Sequence, residues 1–137
     1  MSHEKTLGQL KLSSTQPFAL AMRALGYTKI STNCTMEDHY GKVSHVDIAV
    51  SNGRYSIGLA KNAKGLYDLK GDFMCFAWEL TKEFKKILGN NVSDQRIADM
   101  VKVHITKFAI LLAAQGRAKS QVSQLNANGS MDMVLDL

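Results

Sequence analysis

Val46-Asp47-Ile48-Ala49-Val50-Ser51-Asn52-Gly53-Arg54-Tyr55-Ser56-Ile57-Gly58-Leu59 is the stretch whose reading decides the fold. Alternating apolar runs flank Asn52-Gly53, a pair well able to take the positive φ angles of a two-residue type I′ hairpin. That turn sets Ser51 opposite Arg54, Val50 opposite Tyr55, Ile48 opposite Ile57 and Val46 opposite Leu59. Apolar pairs then recur at every second position, so one face of the ribbon is apolar. A slip of one residue would turn that face to water.

Working outward, Lys61-Asn62-Ala63-Lys64-Gly65 reads as a second turn, with Gly65 as a left-handed bulge residue. Asn62 then faces Leu66, Lys61 faces Tyr67 and Leu59 faces Leu69. Val43 to Asp72 is therefore expected to be a three-stranded meander. Its core side carries Val46, Ile48, Val50, Tyr55, Ile57, Leu59, Tyr67 and Leu69.

Two long helices are expected to cover that face. The first carries Phe73, Phe76, Ala77, Leu80, Phe84, Ile87 and Leu88 at helical spacing, and Gly89 ends it. The second starts near Ser93-Asp94, carries Ile97, Val101, His104, Phe108 and Leu111, and stops at Gly116. Upstream, Leu7, Leu10 and Leu12 suit an extended segment. Ser13 to Pro17 opens a helix bearing Phe18, Ala21, Met22 and Leu25, and Tyr27 to Thr35 reads as a strand. Downstream, Lys119 to Leu125 and Ser130 to Leu137 read as a C-terminal hairpin around Asn126-Ala127-Asn128-Gly129. The expectation is a single α+β domain over residues 1–137, with a predominantly antiparallel sheet.

Bulk properties bound the function. With 45% apolar and 21% charged residues, the chain has globular rather than disordered composition. The formal charge of +5 favours polyanions, yet the 17 basic residues never form a run of four. Apolar runs stay shorter than a membrane span, and Met1-Ser2-His3-Glu4-Lys5 lacks the profile of a secretory signal. Cys34 and Cys75 cannot make a disulfide framework, which points to the cytoplasm and free thiols.

Several side chains are candidates for chemistry. Cys34, His39, His45 and Cys75 are the residue types of a zinc site, but they lack the paired short spacings that such sites use, and buried thiols with surface histidines are the plainer reading. His104 could act as a general base beside a cleft, or simply pack on its helix. Asp47 and Asp68 point away from the core, and Asp72 suits a helix cap. No nucleophile-base signature or phosphate-cradling glycine loop appears. On the outer face of the meander, Lys42, Arg54, Lys61, Lys64 and Lys70 with Tyr40 could track phosphates and stack a base, or guard a sheet edge with lysines.

Short motifs throughout the chain carry a resemblance. They are Met1-Ser2-His3, Leu25-Gly26-Tyr27, Val46-Asp47-Ile48, Ile57-Gly58, Asn62, Gly65-Leu66-Tyr67 with Leu69, Asp72, Gln115-Gly116 and Asn128-Gly129-Ser130. In this order they resemble the family called hypothetical chloroplast reading frame thirty-five, small proteins of plastids, cyanobacteria, other bacteria and phages. The sequence departs from that pattern at Glu4, Phe73-Met74 and Arg117. The resemblance implies this fold, a setting in cytoplasm, plastid stroma or phage-host cytoplasm, and an accessory role. It implies no reaction.

The resulting expectation is a non-catalytic binding or regulatory protein that engages a protein partner through its sheet surface or an exposed strand edge. Nucleic-acid binding through the basic sheet face is the alternative, and a metal-dependent enzyme using His and Cys is a further one. No cofactor and no membrane are expected, and the uncovered strands could support a homo-oligomer.

Overall fold

The computed structural model describes residues 4–128, with side chains as far as residue 116. Five strands, β1 (Lys5–Leu10), β2 (Lys29–Glu37), β3 (Val43–Ser51), β4 (Ser56–Lys61) and β5 (Tyr67–Gly71), form an antiparallel sheet. Their order is β1-β5-β4-β3-β2. The helices are α1 (Gln16–Ala24), α2 (Phe73–Phe76), α3 (Lys82–Leu88) and the long α4 (Asp94–Asn128), which makes the architecture α+β.

The β4–β5 turn follows from local chemistry. Gly65 has φ +79°, the left-handed conformation that side chains resist, and Asn62 N–H donates to Leu66 O at 2.7 Å. Lys61 therefore pairs with Tyr67 and Leu59 with Leu69, as the Gly65 bulge requires.

The β3–β4 turn differs from the type I′ expectation. Ser51 faces Ser56, Val50 faces Ile57 and Ile48 faces Leu59, a register two residues away from the expected one. Among the described residues, Asn33 is the non-glycine residue with positive φ, so Asn52 does not take the type I′ conformation. Instead its Oδ1 accepts the N–H groups of Arg54 and Tyr55, both at 2.9 Å. Its Nδ2 donates to Phe76 O at 2.8 Å, so a tertiary contact holds the four-residue loop. A shift of two residues preserves the side on which each residue lies, and Ile48, Val50, Ile57 and Leu59 remain in the core. Tyr55 does not. It belongs to the loop, and Val46 packs in a separate small cluster with Met36 and Ala49.

The inner face of the sheet is covered by helices. Phe18, Ala21 and Met22 of α1 and its capping residue Leu25 recur at i, i+3, i+4 and i+7 and meet Ile97, Val101 and Ile105 of α4 in one cluster with Phe73, Phe76, Phe84 and Leu88. The helix expected over residues 73–88 is broken. After α2 and a 3₁₀ turn at Ala77–Glu79, Leu80 is extended, and Thr81 caps α3 by accepting Phe84 N–H at 3.2 Å. Thr81 Oγ1 also donates to Leu25 O, and Thr81 N–H donates to the Tyr27 hydroxyl. Bonds to a distant segment thus stop the first helix.

At the other end, α4 continues through Gly116 to Asn128. Residues 119–125, expected as a strand, are helical instead, and Ser130 to Leu137 lie outside the described residues. One interior glycine costs a helix only about 1 kcal/mol, and the Ala, Arg, Lys and Gln residues that follow are good helix formers.

The sheet also curls. β1 and β2 are its two edges, yet the turn after β2 bonds to the residue preceding β1: Glu4 N–H donates to Asp38 Oδ2 at 3.1 Å. Ser44 Oγ adds a bond to Glu4 Oε2 at 2.5 Å. The curl brings Met36 onto β4 at Gly58, where a Cβ would stand 3.2 Å from Met36 Sδ and 2.5 Å from Ile48 O. Gly58 is a site of close approach, and the outer face there is covered rather than open.

Candidate functional site

The curl places the β2–β3 turn beside α2. Asp38, buried, organises this turn by accepting Tyr40 N–H and Lys42 N–H at 2.9 Å on Oδ1 and Glu4 N–H on Oδ2. Burial by itself would raise the Asp38 pKa. The N–H donors of Glu4, Lys42 and Tyr40 outweigh it and hold the carboxyl below the usual carboxylate value. Asp72, also buried, joins the turn to the helix: Oδ1 caps α2 through Cys75 N–H and Oδ2 accepts His39 N–H at 3.1 Å.

These bonds present an aromatic cluster. His39 Nδ1 lies 3.1 Å from the Tyr55 hydroxyl. The Trp78 ring stands edge-on to both His39 and Tyr55, with centroids 6.0 Å and 5.7 Å away, and Tyr40 stands edge-on to His39 at 5.5 Å. Such edge-to-face pairs are a favoured aromatic geometry. Even so, Trp78 and Tyr40 are each 54% exposed. A shallow polar notch lined by Glu37, Asp38, His39, Arg54 and Tyr55 adjoins the rings.

Burial raises the Tyr55 phenol pKa, with Cys75 and Asp72 adding to the effect and Arg54 opposing it, so the hydroxyl stays protonated and able to donate. Cys75 forms a hydrogen bond with Tyr55, but its residue is fully buried, and a substrate in solvent cannot reach the thiol. The arrangement is suited to holding rings against a partner rather than to covalent chemistry.

The structure distributes the other sequence candidates. Lys42 and Arg54 lie beside the aromatic cluster with Tyr40, whereas Lys61 and Lys64 belong to the β4–β5 turn at the other end of β4. Lys61 shares the side of Leu59 and Tyr67, with Nζ 5.9 Å from the Tyr67 ring centre. Lys70, opposite Gly58, lies on the other side of the sheet. The five basic residues therefore do not form one patch.

Of the metal candidates, His39 and Cys75 both adjoin Tyr55, while Cys34 and His45 belong to the β2–β3 ribbon. His45 Nε2 lies 2.8 Å from Asn33 Oδ1, and burial pushes the Cys34 thiol pKa up. Among the described residues, no group of three or more His, Cys, Asp or Glu is placed to hold a metal ion. His104 Nδ1 donates to Met100 O at 2.8 Å within α4. Asp47 accepts Lys61 N–H and Asp68 accepts from Gln9 and Asn62, so both support turns and strand pairing.

Trp78 and Asp38 were not singled out in the sequence. The available signal was that Trp78 is the single tryptophan and falls off the apolar stripe of its helical segment. No protein-family model matches the chain, and neither a curated protein nor a solved structure proves similar to it. Among the described residues, no helix is long and apolar enough to cross a membrane.

Proposed function

We propose that this protein is a non-catalytic docking protein that binds a protein partner through His39, Tyr40, Tyr55 and Trp78. One observation carries the reading: two large aromatic rings stay more than half exposed while packed edge-on against neighbouring rings. Rigid Trp and Tyr side chains with an adjacent Arg are the residue types that dominate binding energy at protein interfaces. Preordering them lowers the entropy lost on association.

Nucleic acid is the weaker reading. Lys42 and Arg54 border the rings, but so does Glu37, and a phosphate-tracking surface needs an excess of cations. The resemblance to the chloroplast reading frame family, which implies no reaction, is in keeping with docking.

The test is co-purification from the cell of origin with wild-type protein, Trp78→Ala, Tyr40→Ala and a Lys64→Ala control. Docking through the patch requires a protein captured by wild type and Lys64→Ala, with capture reduced at least about tenfold by either aromatic change. Equal capture by all four forms would remove the patch from the interface. Captured nucleic acid whose affinity falls steeply with salt would replace the protein reading.

A further inference from the structure

The aromatic patch offers hydrogen-bond donors that nothing else in the fold uses. Among the described residues, the Trp78 indole N–H and the Tyr40 hydroxyl have no hydrogen-bond partner, and Arg54, beside Tyr55, has no ion pair. An indole N–H and a guanidinium donate and accept nothing, so the natural complement is a ligand rich in acceptors and poor in donors. Ring geometry narrows the choice. The Trp78 plane stands at 83° to Tyr55 and 85° to His39, and Tyr40 at 78° to His39. Perpendicular rings make corners, which suit a bulky puckered body better than the flat face of a base.

A proline-rich segment has all these properties. Proline lacks a backbone N–H, and in the polyproline II conformation no carbonyl is used internally, so each one projects outward as a free acceptor. Its three-residue turn advances about 9 Å, and the preformed backbone loses little entropy on docking to aromatic walls. Charge sets the flank. Glu37 lines the adjoining notch and has no ion pair among the described residues, which suits a basic residue next to the prolines.

We infer that the patch binds a proline-rich segment of the protein partner in the polyproline II conformation. Proline rings pack in the Trp78–Tyr55 and Tyr40–His39 corners, their carbonyls accept from Trp78 and Tyr40, and a flanking Lys or Arg meets Glu37. The inference rests on the docking reading and names the partner's chemistry.

Trp78 is the single tryptophan of the chain, so its emission reports on the site directly. The probe is a polyproline peptide of about ten residues, roughly 31 Å long, with a Gly-Ser peptide of equal length as control. Polyproline is expected to change Trp78 emission saturably and without salt dependence, and the control to leave it unchanged. Tyr40→Ala should weaken binding at least about tenfold, and Tyr40→Phe, which loses only the hydroxyl, about threefold. A terminal arginine on the peptide should tighten binding to wild type several-fold and to Glu37→Gln not at all. No response to polyproline, or an equal response to both peptides, overturns the inference. If polyproline fails while Tyr40→Ala still abolishes capture of a partner from the cell of origin, docking stands and its proline chemistry falls. If Tyr40→Ala leaves capture intact as well, both fall.

Discussion

The His39 backbone N–H donates to Asp72 Oδ2 at 3.1 Å, across 33 residues of sequence, while the other oxygen of Asp72 caps α2. A single carboxylate thus holds the aromatic turn against the helix that leads to Trp78. Replacing Asp72 with Ala removes a cap and takes the acceptor from the buried Cys75 N–H and the part-buried His39 N–H, an expected loss of about 1–3 kcal/mol. The urea midpoint should fall with an unchanged slope, and Trp78 emission should shift because its neighbours loosen. A midpoint equal to wild type would show that the bond does not couple the two segments.

Asp38 sets an acid dependence. Its folded pKa lies below the usual value, so the stability it contributes is present above the unfolded carboxylate pKa of about 3.9 and is lost as pH falls through the folded value. Asp99 adds in the same direction, held low by Gln95 and then by Lys102. Thermal melts from pH 6 down to pH 2.5 should decline through that window, and Asp38→Asn should flatten the decline. A variant melting profile that parallels wild type throughout would contradict the role given to the three N–H donors.

Two glycines should respond in opposite directions. A methyl at Gly58 would meet Ile48 O at 2.5 Å, a backbone atom unable to yield cheaply, so Gly58→Ala should destabilise by about 1–3 kcal/mol. At Gly116, inside α4, a methyl meets nothing within 4 Å, and Gly116→Ala should stabilise by up to about 1 kcal/mol. Loss of stability at Gly116 would mean that the glycine ends the helix. Denaturant titration of both variants decides the matter.

The cysteines should differ in reactivity. Cys34 is partly exposed with its thiol pKa raised by burial, while Cys75 is fully buried. An aromatic disulfide reagent should label one thiol slowly in the native protein, faster as pH rises, and both thiols after unfolding. Two equally fast native thiols would place Cys75 at the surface and revive it as a candidate for chemistry.

Legibility in the sequence followed the range of the interactions. The β4–β5 turn was readable because Gly65 and Asn62 settle it within five residues. The β3–β4 register was not, because Asn52 bonds to Phe76 O and so draws its loop to four residues. The helical segment from Phe73 looked continuous until Thr81 found Leu25 and Tyr27. Of the candidate site, Tyr40, Lys42, Arg54 and His39 were visible as residue types. Their grouping with Tyr55 and Trp78 was not, since the curl that unites them rests on Glu4, Asp38 and Asp72.

By itself the sequence determined that Ile48, Val50, Ile57, Leu59, Tyr67 and Leu69 face inward and where α1 begins and ends, because alternation, helical spacing, Pro17 and Gly26 act over a few residues. Tertiary structure alone decided the broken second helix, the curled sheet and the exposed aromatic cluster. Each depends on a side chain bonding to backbone from a distant segment, and such a bond forms only once hydrophobic packing has brought the two segments together.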